Sequence, residues 1–228
     1  MLVMTRPAVH ASISADRLSD TAYRAVLEAL FDRRVTAGSF VSQSDLVRVT
    51  GCPVGPLRDA LRVLEADGVL QIHPRSGIQF VRPGAELTRS TYQFRGIIER
   101  AGVRVFAETA ELADIDQIAS AHEAMISRIA KLSVVEDLEP RVHELEAMFH
   151  GAIVSSLDNR QIDAAHRRLR TLLRIIRLDS AWSPRTVEMT LTEHLRILGA
   201  CHARDPDAAE AAMRQHLTGA LQRHLRVL

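Results

Sequence analysis

Three histidines lie in apolar stripes of predicted helices, where an imidazole is unusual. His150 lies between Phe149 and Ile153, and His194 and His216 each follow apolar residues at helical spacing. A single histidine of this kind is most often a core residue with one hydrogen bond. Three of them on three helices also suit a metal site, because imidazole is the commonest metal ligand in proteins.

The spacing of these histidines favours a meeting of their side chains. His194 and His216 are each eleven residues from Asp205, the predicted turn between two antiparallel helices. At about 1.5 Å per residue both lie roughly 16 Å from that turn, and so at the same height on neighbouring helices. Glu146 precedes His150 by four residues, which places carboxylate and imidazole on one helix face. Three imidazoles and a carboxylate inside a bundle could bind zinc, or nickel or manganese.

Two alternatives stay open at this point. His166 competes with His150, because it mirrors that residue across the predicted turn at Asp158. It lies beside Arg167 and Arg168, which favours an exposed position. The second alternative is that all of these histidines are structural and that the helical part of the chain serves only for dimerisation.

A second group of residues could contact DNA, and it lies within residues 41–81. The pattern there predicts two short helices and a hairpin, with Ser42 or Ser44 as the first N-cap. The predicted elements are helices at about residues 44–49 and up to residue 67, and strands at 69–72 and 78–81. This order is the layout of a winged helix-turn-helix.

Arginines on the second of these helices could read double-stranded DNA. Arg58 and Arg62, four residues apart, share an outer face, while the leucines of the same helix face inward. A helix of this diameter fits the major groove, where arginines reach guanine edges or phosphates. His73 and Arg75, in the hairpin turn, suit a backbone or minor-groove contact. A solvated arginine face is the alternative, and the order of the elements favours DNA.

This stretch resembles the GntR family of bacterial transcription regulators. The matching positions are Gly38, Leu46, Gly51, residues 56–61, residues 64–68 and Gly77. The family usually carries Ser-Arg-Thr where this chain has Pro53-Val54-Gly55, so one customary arginine and one hydroxyl donor are missing. The predicted DNA-contacting residues are Ser44, Gly55, Arg58, Arg62, His73 and Arg75.

The rest of the chain is predicted to be helical. Helix starts are marked by capping-box spacing at Ser133 and by proline after Ser183 and Asp205. Six helices without a strand pattern indicate an antiparallel bundle, so the predicted fold is mostly α. The expected organisation is a flexible N-terminus over 1–18, a winged helix-turn-helix over 19–82, a linker over 83–88 and an all-helical domain over 89–228.

The helical part resembles the FCD-type ligand-binding domain of the FadR-like branch of the GntR family, over most of residues 88–228. The matching landmarks are Arg95 with Glu99, Phe149-His150 with Ile153, Asn159, Glu193-His194 with Leu198, and Met213 with His216-Leu217. The resemblance implies a divalent metal, zinc first, bound by Glu146, His150, His194 and His216. Glu146 is one methylene longer than the family's usual aspartate.

Arg95 is the candidate for binding an effector. The resemblance implies that an arginine on this helix pairs with the carboxylate of a small metabolite, and a guanidinium can do so through two hydrogen bonds. The alternative is a surface pair between Arg95 and Glu99, four residues apart. Four further arginines share one helix face that is expected to be mostly solvated: Arg167, Arg170, Arg174 and Arg177.

The resemblance implies a homodimeric, metabolite-responsive regulator, more often a repressor, that reads a near-palindromic DNA operator and is not an enzyme. The alternative of a different class is a metal-dependent hydrolase with a DNA-binding appendage, since three histidines suit zinc–water chemistry. A third is a regulator whose helical domain only dimerises.

The composition limits the classes further. The net charge is +1, and residues 1–82 hold 10 basic and 8 acidic residues, so DNA contacts must come from local placement. Cys52 and Cys201 lie in different predicted regions and indicate no disulfide framework. Neither a secretory signal nor an apolar run of membrane-spanning length is evident, so a cytoplasmic protein without a membrane partner is expected.

Overall fold

The structure of this protein is a computed structural model that describes residues 9–130, 139–178 and 183–226. Its internal contacts divide the chain into two compact units: the N-terminal unit ends at Pro83 and the C-terminal unit begins at Gly84. Within the described ranges, no helix has both the length and the apolar character that crossing a membrane requires.

The N-terminal unit alternates helices with short strands. Its elements are α1 (Val9–Phe31), β1 (Phe40–Val41), α2 (Gln43–Thr50), α3 (Val54–Ala66), β2 (Leu70–His73) and β3 (Gly77–Phe80). Helix α1 begins ten residues before the predicted start at Ser19, so residues 9–18 are helical rather than a flexible lead-in. Neither glycine nor proline occurs in residues 9–31, and the helix therefore extends beyond its amphipathic part. Residues 1–8 lie outside the described ranges.

The helix-turn-helix is fixed at its corners by local hydrogen bonds. Ser42 caps α2, because its hydroxyl accepts a hydrogen bond from the Asp45 amide at 3.1 Å and the Asp45 carboxylate accepts one from the Ser42 amide at 3.2 Å. Gly51 ends α2 with a φ of 69°, a left-handed conformation that favours glycine. Helix α3 packs on α1 through buried side chains: Leu57, Ala60, Leu61 and Leu64.

A three-stranded antiparallel sheet completes this unit in the order β1-β3-β2. The hairpin of β2 and β3 pairs Leu70 with Phe80 and His73 with Gly77. Strand β1 was not predicted, since two residues are too few to show an alternating pattern. Gly77 has a φ of 127°, and a Cβ there would lie 2.8 Å from the Val41 carbonyl oxygen, so the close approach of β1 requires glycine.

The C-terminal unit is a helical bundle. Its described elements are α4 (Ala85–Thr109), α5 (Leu112–Ile129), α6 (Glu139–Ser155), α7 (Arg160–Arg177), α8 (Pro184–His202) and α9 (Pro206–Leu225). Helix α4 begins inside the segment predicted to be a linker, with Gly84 as N-cap. Ser183 and Asp205 cap α8 and α9 as expected, and the helix start predicted at Ser133 lies outside the described ranges. The mostly helical fold, with a winged N-terminal unit, is confirmed.

Helix α4 is central to the bundle and packs against α6, α7, α8 and α9. It approaches α6 closely at Gly102, where a Cβ would lie 2.7 Å from the Ile153 carbonyl oxygen. The main core cluster draws on α4, α5, α6, α8 and α9. This packing brings polar residues of several helices together in the interior.

Candidate functional site

Three histidines from three helices converge in the interior of the C-terminal unit. His150 comes from α6, His194 from α8 and His216 from α9, and all three are buried. One ring nitrogen of each lies within 4.8 Å of a ring nitrogen of the other two. The Nε2 atoms of His194 and His216 are 3.3 Å apart. The equal spacing of these two residues from the turn at Asp205 thus does bring them to the same height.

A carboxylate and an arginine support His216 from outside. The Nδ1 atom of His216 donates a hydrogen bond to Oε2 of Glu193 at 2.7 Å. Two further bonds of 2.9 Å join this carboxylate to Arg223. Burial would raise the pKa of the Glu193 carboxyl, but the bonds from His216 and Arg223 outweigh it and lower the pKa to about 2.

His194 is held by a fourth buried histidine. Its Nδ1 lies 3.1 Å from Nε2 of His122 on α5, whose Nδ1 lies 2.8 Å from the carbonyl oxygen of Ile118. The ring of Phe149 stacks on that of His194 with a centroid distance of 4.0 Å and an interplanar angle of 16°. Burial lowers the pKa of His122 and lowers that of His194 well below its ordinary value, so both rings are neutral near pH 7.

His150 lies between an arginine and a carboxylate of α4. Its Nε2 accepts a hydrogen bond of 2.5 Å from Nη2 of Arg95. Its Nδ1 lies 2.9 Å from Oε2 of Glu99, although this contact lacks the alignment of a hydrogen bond. Burial and the charge of Arg95 lower the pKa of His150 to about 4, and the ring is therefore neutral.

Glu146, the predicted carboxylate ligand, borders the three histidines without belonging to their close group. Its Oε1 lies 3.5 Å from Nε2 of His194, and its Oε2 lies 2.6 Å from Nη2 of Arg177. Oε1 is buried and has no hydrogen-bond partner among the described residues. Burial would raise the pKa of this carboxyl, but Arg177 and the histidines hold it well below its ordinary value.

Arg95 is buried rather than part of a surface pair. Its side chain is 1% exposed, and its Nε donates a hydrogen bond of 2.6 Å to Oε1 of Glu99. The Nη1 group has no hydrogen-bond partner in the part of the chain that the structure describes. A buried guanidinium donor without a partner costs free energy, so this atom marks a place where a ligand oxygen would be stabilised.

One of the remaining expectations needs correction. His166 is buried rather than exposed, and its Nε2 lies 3.9 Å from Oε1 of Glu99, outside the group of three histidines. In the arginine stripe on α7, one member, Arg177, is largely buried and pairs with Glu146 at the site. The other three members are exposed as expected: Arg167, Arg170 and Arg174.

His122 is the site residue that the sequence analysis missed. It occupies a buried position in an α5 stripe with Ile115, Ile118, Met125 and Ile129. The criterion that singled out the other three histidines, an imidazole in an apolar stripe, would also have found it. Its contact with His194 joins α5 to α8, two helices without an obvious mirror relation in the sequence.

The donor chemistry of this group fits a divalent transition metal. Three imidazoles meet one another, and the unpartnered Oε1 of Glu146 lies at their edge. Imidazole nitrogen suits zinc, nickel and manganese sites, and a carboxylate oxygen can complete such a set. The group could therefore hold one of these ions through His150, His194 and His216, with Glu146 adjacent.

The predicted DNA-contacting residues form an exposed surface on the N-terminal unit. Arg58 and Arg62 project from α3 on the side away from its buried leucines. Ser44 on α2 and Gly55 on α3 are exposed as well. At the hairpin turn, Arg75 is exposed with a φ of 65°.

His73 is the least available member of this set. It is half-buried, and its Nε2 lies 3.1 Å from Oε1 of Gln79. Its ring also contacts Phe40 with a centroid distance of 5.4 Å. The neighbouring Arg75 therefore offers the freer charge at the tip of the hairpin.

Two family models match the two units. The model of the bacterial regulatory proteins of the gntR family matches residues 18–80, and the FCD domain model matches residues 90–219. The second match alone covers more than half of the chain. Together the two models cover nearly all of the described elements.

Individual relatives agree with these matches. The HTH-type transcriptional regulator YdhC of Bacillus subtilis (strain 168) is 23% identical over 194 residues, which is 85% of each chain. A GntR transcriptional regulator from Rhodococcus sp. RHA1 has a similar fold, with a TM-score of 0.72, 21% identity and coverage of 93% of this chain and 98% of its own. McbR/YncC of E. coli also has a similar fold, with a TM-score of 0.71, 15% identity and coverage of 93% of this chain and 97% of its own.

Proposed function

Because this chain is a transcriptional regulator of the GntR family with an FCD domain, we propose that a small carboxylate effector, bound beside a metal ion in the C-terminal unit, controls its affinity for an operator. The observation that carries this proposal is the convergence of His150, His194 and His216 in a buried interior. A core built for stability alone would gain little from three imidazoles, since burying polar groups is costly unless each is paired.

In this proposal the N-terminal unit contacts DNA through α3 and the hairpin. Arg58 and Arg62 reach base edges or phosphates in the major groove, and Arg75 with His73 contacts the backbone or the minor groove. Ser44 lies in the first turn of α2 and Gly55 in the first turn of α3. The hydroxyl of Ser44 and the backbone of Gly55, which has no side chain, can approach phosphates there. The exposure of the two α3 arginines supports this assignment.

In the C-terminal unit, His150, His194 and His216 would hold the metal, with Glu146 as a fourth ligand. Zinc suits this donor set best, and nickel and manganese are the alternatives. Glu146 is already paired with Arg177, so it can turn one oxygen to the histidines while the other keeps its partner. When bound, the metal would supply an open coordination position for an oxygen ligand.

Arg95 is the residue that we assign to the effector. Its unpartnered Nη1 and its neighbour Nη2, which contacts His150, form two adjacent donors in the interior. A carboxylate is the group that matches two parallel guanidinium donors. A small metabolite carrying a carboxylate would therefore satisfy Nη1 and reach the metal position with its other oxygen.

We propose regulation rather than hydrolysis for this site. A metal-dependent hydrolase needs a carboxylate or another group that can accept a proton near neutral pH. The three carboxylates around the histidines are instead paired with arginines, and their pKa values are lowered. A carboxylate with a lowered pKa is a weak general base, which favours a binding role.

The regulator would act as a homodimer, and by family resemblance as a repressor, on a near-palindromic operator. An apolar stripe on the outer side of α4 supports the dimer: Phe94 is 44% exposed and Ile97 is 66% exposed. Exposed apolar groups on one helix are typical of surfaces that a partner covers. Since its DNA partner is chromosomal, we expect the protein in the cytoplasm.

One experiment tests the core of this proposal. Untagged protein is used to select fragments from its own genome, and the selected fragments are then titrated with protein that is metal-loaded, metal-free, or metal-loaded with a panel of small carboxylates. We expect an inverted repeat in the selected fragments and a change of at least tenfold in DNA affinity with one carboxylate, only when metal is present. Selection of DNA with equal affinity in all of these states would refute the sensing role.

A further inference from the structure

His122 touches only one of the three converging histidines. Its Nε2 lies 3.1 Å from Nδ1 of His194, while its own Nδ1 lies 2.8 Å from the Ile118 carbonyl oxygen. It is fully buried and lies on α5, whereas the other three histidines lie on α6, α8 and α9. Nothing in its position allows it to join the close group, so its contact with His194 needs another explanation.

The contacts of a neutral His122 assign the hydrogen atoms along this chain. A carbonyl oxygen only accepts, so the Nδ1 of His122 must carry the hydrogen that it donates to Ile118. A neutral imidazole has one N–H group, and the Nε2 of His122 is therefore an acceptor. His194 must then donate from its Nδ1, which leaves its Nε2 with a lone pair.

His216 reaches the same state by a different route, and His150 differs from both. Nε2 of His150 accepts a hydrogen bond from Arg95, while Nδ1 of His216 donates one to the carboxylate of Glu193. A carboxylate in this position holds the hydrogen on Nδ1 and directs Nε2 to a metal. His194 lacks such a carboxylate on its Nδ1 side, and His122 stands in that place.

For His194 the nearest carboxylate lies on the opposite side. Oε1 of Glu146 is 3.5 Å from Nε2 of His194 and has no hydrogen-bond partner among the described residues. This oxygen would stabilise the other tautomer, with the hydrogen on Nε2. That tautomer would place a hydrogen on the nitrogen that faces His216, where no metal could then bind.

We propose that His122 is a positioning residue that holds His194 in the Nδ1–H tautomer and thereby keeps the Nε2 lone pair available to a metal ion. This inference rests on the proposed metal site for its purpose, but the tautomer itself is a property of the metal-free protein. Phe149 fixes the plane of the His194 ring by stacking. His122 decides which nitrogen of His194 carries the hydrogen.

Two polar variants separate this role from simple packing. His122→Gln can place its amide oxygen near the position of Nε2, and so keeps an acceptor for His194 while losing the bond to Ile118. His122→Asn can place its amide nitrogen near the position of Nδ1, and so keeps the bond to Ile118 but does not reach His194. A third variant, His122→Leu, fills the volume without an acceptor and replaces the Asn variant if that protein does not fold.

The first measurement is the tautomer of His194 in metal-free full-length protein, read from the nuclear magnetic resonance of the imidazole nitrogens. We expect the Nδ1–H form in the original protein and in His122→Gln, and a shift towards the Nε2–H form in His122→Asn or His122→Leu. An unchanged Nδ1–H tautomer in the Asn and Leu variants would overturn the proposal, whether or not the protein binds metal.

The second measurement is the dissociation constant for zinc, by competition with a chelator. Loss of an outer partner of a metal ligand typically weakens binding about 10–100-fold, which is the range expected for His122→Asn. His122→Gln should stay within about threefold of the original protein, well short of that range. Equal affinities for the Asn variant and the original protein, or equal weakening in the Gln variant, would contradict the role. If the original protein binds no zinc, the proposed metal site is wrong, and the tautomer measurement still decides about His122.

Discussion

At the scale of single residues, each of the three histidines in the C-terminal unit is accompanied by a glutamate and an arginine. A glutamate lies between an arginine and one of the histidines, in the sets Arg95–Glu99–His150, Arg177–Glu146–His194 and Arg223–Glu193–His216. In each set the cation keeps the carboxylate ionised in surroundings that would otherwise raise its pKa. Burial lowers the pKa of His150 and that of His194, so these two imidazoles stay in the neutral form that binds metal.

Removal of one of the three histidines should abolish tight metal binding. We expect His194→Ala and His216→Ala to weaken zinc binding by more than the roughly 10–100-fold that loss of an outer partner costs. The matched control is His202→Ala, since this residue lies on the same helix as His194 but is exposed and pairs with Asp116. Chelator competition measures all three, and tight binding by both site variants would place the metal elsewhere.

Replacement of Arg177 should lower the free energy of unfolding of the protein even without metal. Its pairing with buried Glu146 means that Arg177→Met leaves a carboxylate without its cation, which typically costs about 3–5 kcal/mol. Arg167→Met, on an exposed position of the same helix, should change the free energy of unfolding by no more than about 0.5 kcal/mol. Urea unfolding of the metal-free proteins measures both, and equal effects would mean that the buried pair is not formed.

At the scale of elements, α4 carries both a close backbone contact with α6, at Gly102, and several site residues. Gly102→Ala would push a methyl group against the Ile153 carbonyl oxygen of α6, and an overpacked contact of this kind costs about 1–3 kcal/mol. Gly96 lies on the same helix with open space around its Cα. Gly96→Ala should therefore stabilise the protein by about 0.5–1 kcal/mol. Thermal unfolding distinguishes the two, and a stabilised Gly102→Ala protein would contradict the close packing.

Helix α3 should behave as the recognition element. If each arginine contacts a base, Arg58→Ala and Arg62→Ala should each weaken operator binding by about 1–3 kcal/mol. If the contact is to a phosphate, the operator affinity of the variant should depend less on the salt concentration. Arg167→Ala removes the same charge from the C-terminal unit and should leave DNA binding unchanged. Fluorescence anisotropy with a selected operator measures these affinities. If Arg58→Ala binds as tightly as the original protein, α3 is not the recognition helix.

Sequence patterns predict the elements better than they predict the partners of each side chain. Caps at Ser42, Ser183 and Asp205 mark helix starts because capping depends on residues only three positions apart. Strand β1 and the first turns of α1 escape prediction, since neither shows a periodic apolar pattern. The pairing of Arg177 with Glu146, and that of His122 with His194, depend on how α7 and α5 are rotated in the bundle. That rotation is set by packing between distant parts of the chain, which spacing within one helix does not encode.

At the scale of the whole molecule, dimerisation should depend on the apolar stripe of α4. Ile97→Arg places a charge in the middle of this stripe, and desolvating that charge in an interface would be unfavourable. We expect a monomer with normal thermal stability and weak operator binding. Leu112→Arg changes an exposed apolar residue elsewhere in the same unit and should leave the dimer intact. Sedimentation velocity measures the oligomeric state, and a dimer that persists with Ile97→Arg would place the interface on another surface.

The origin of the three converging histidines has a consequence for the lifetime of the protein. They belong to α6, α8 and α9, so a metal ion bound by all three would link α9 to α6 and α8. These bonds would have to break before α9 can leave the bundle. An ion that binds only the folded state stabilises that state and slows its unfolding, and both effects protect a protein from proteases. A cell that is short of the metal would therefore degrade this protein faster, and its abundance would follow the metal supply even at a constant rate of synthesis.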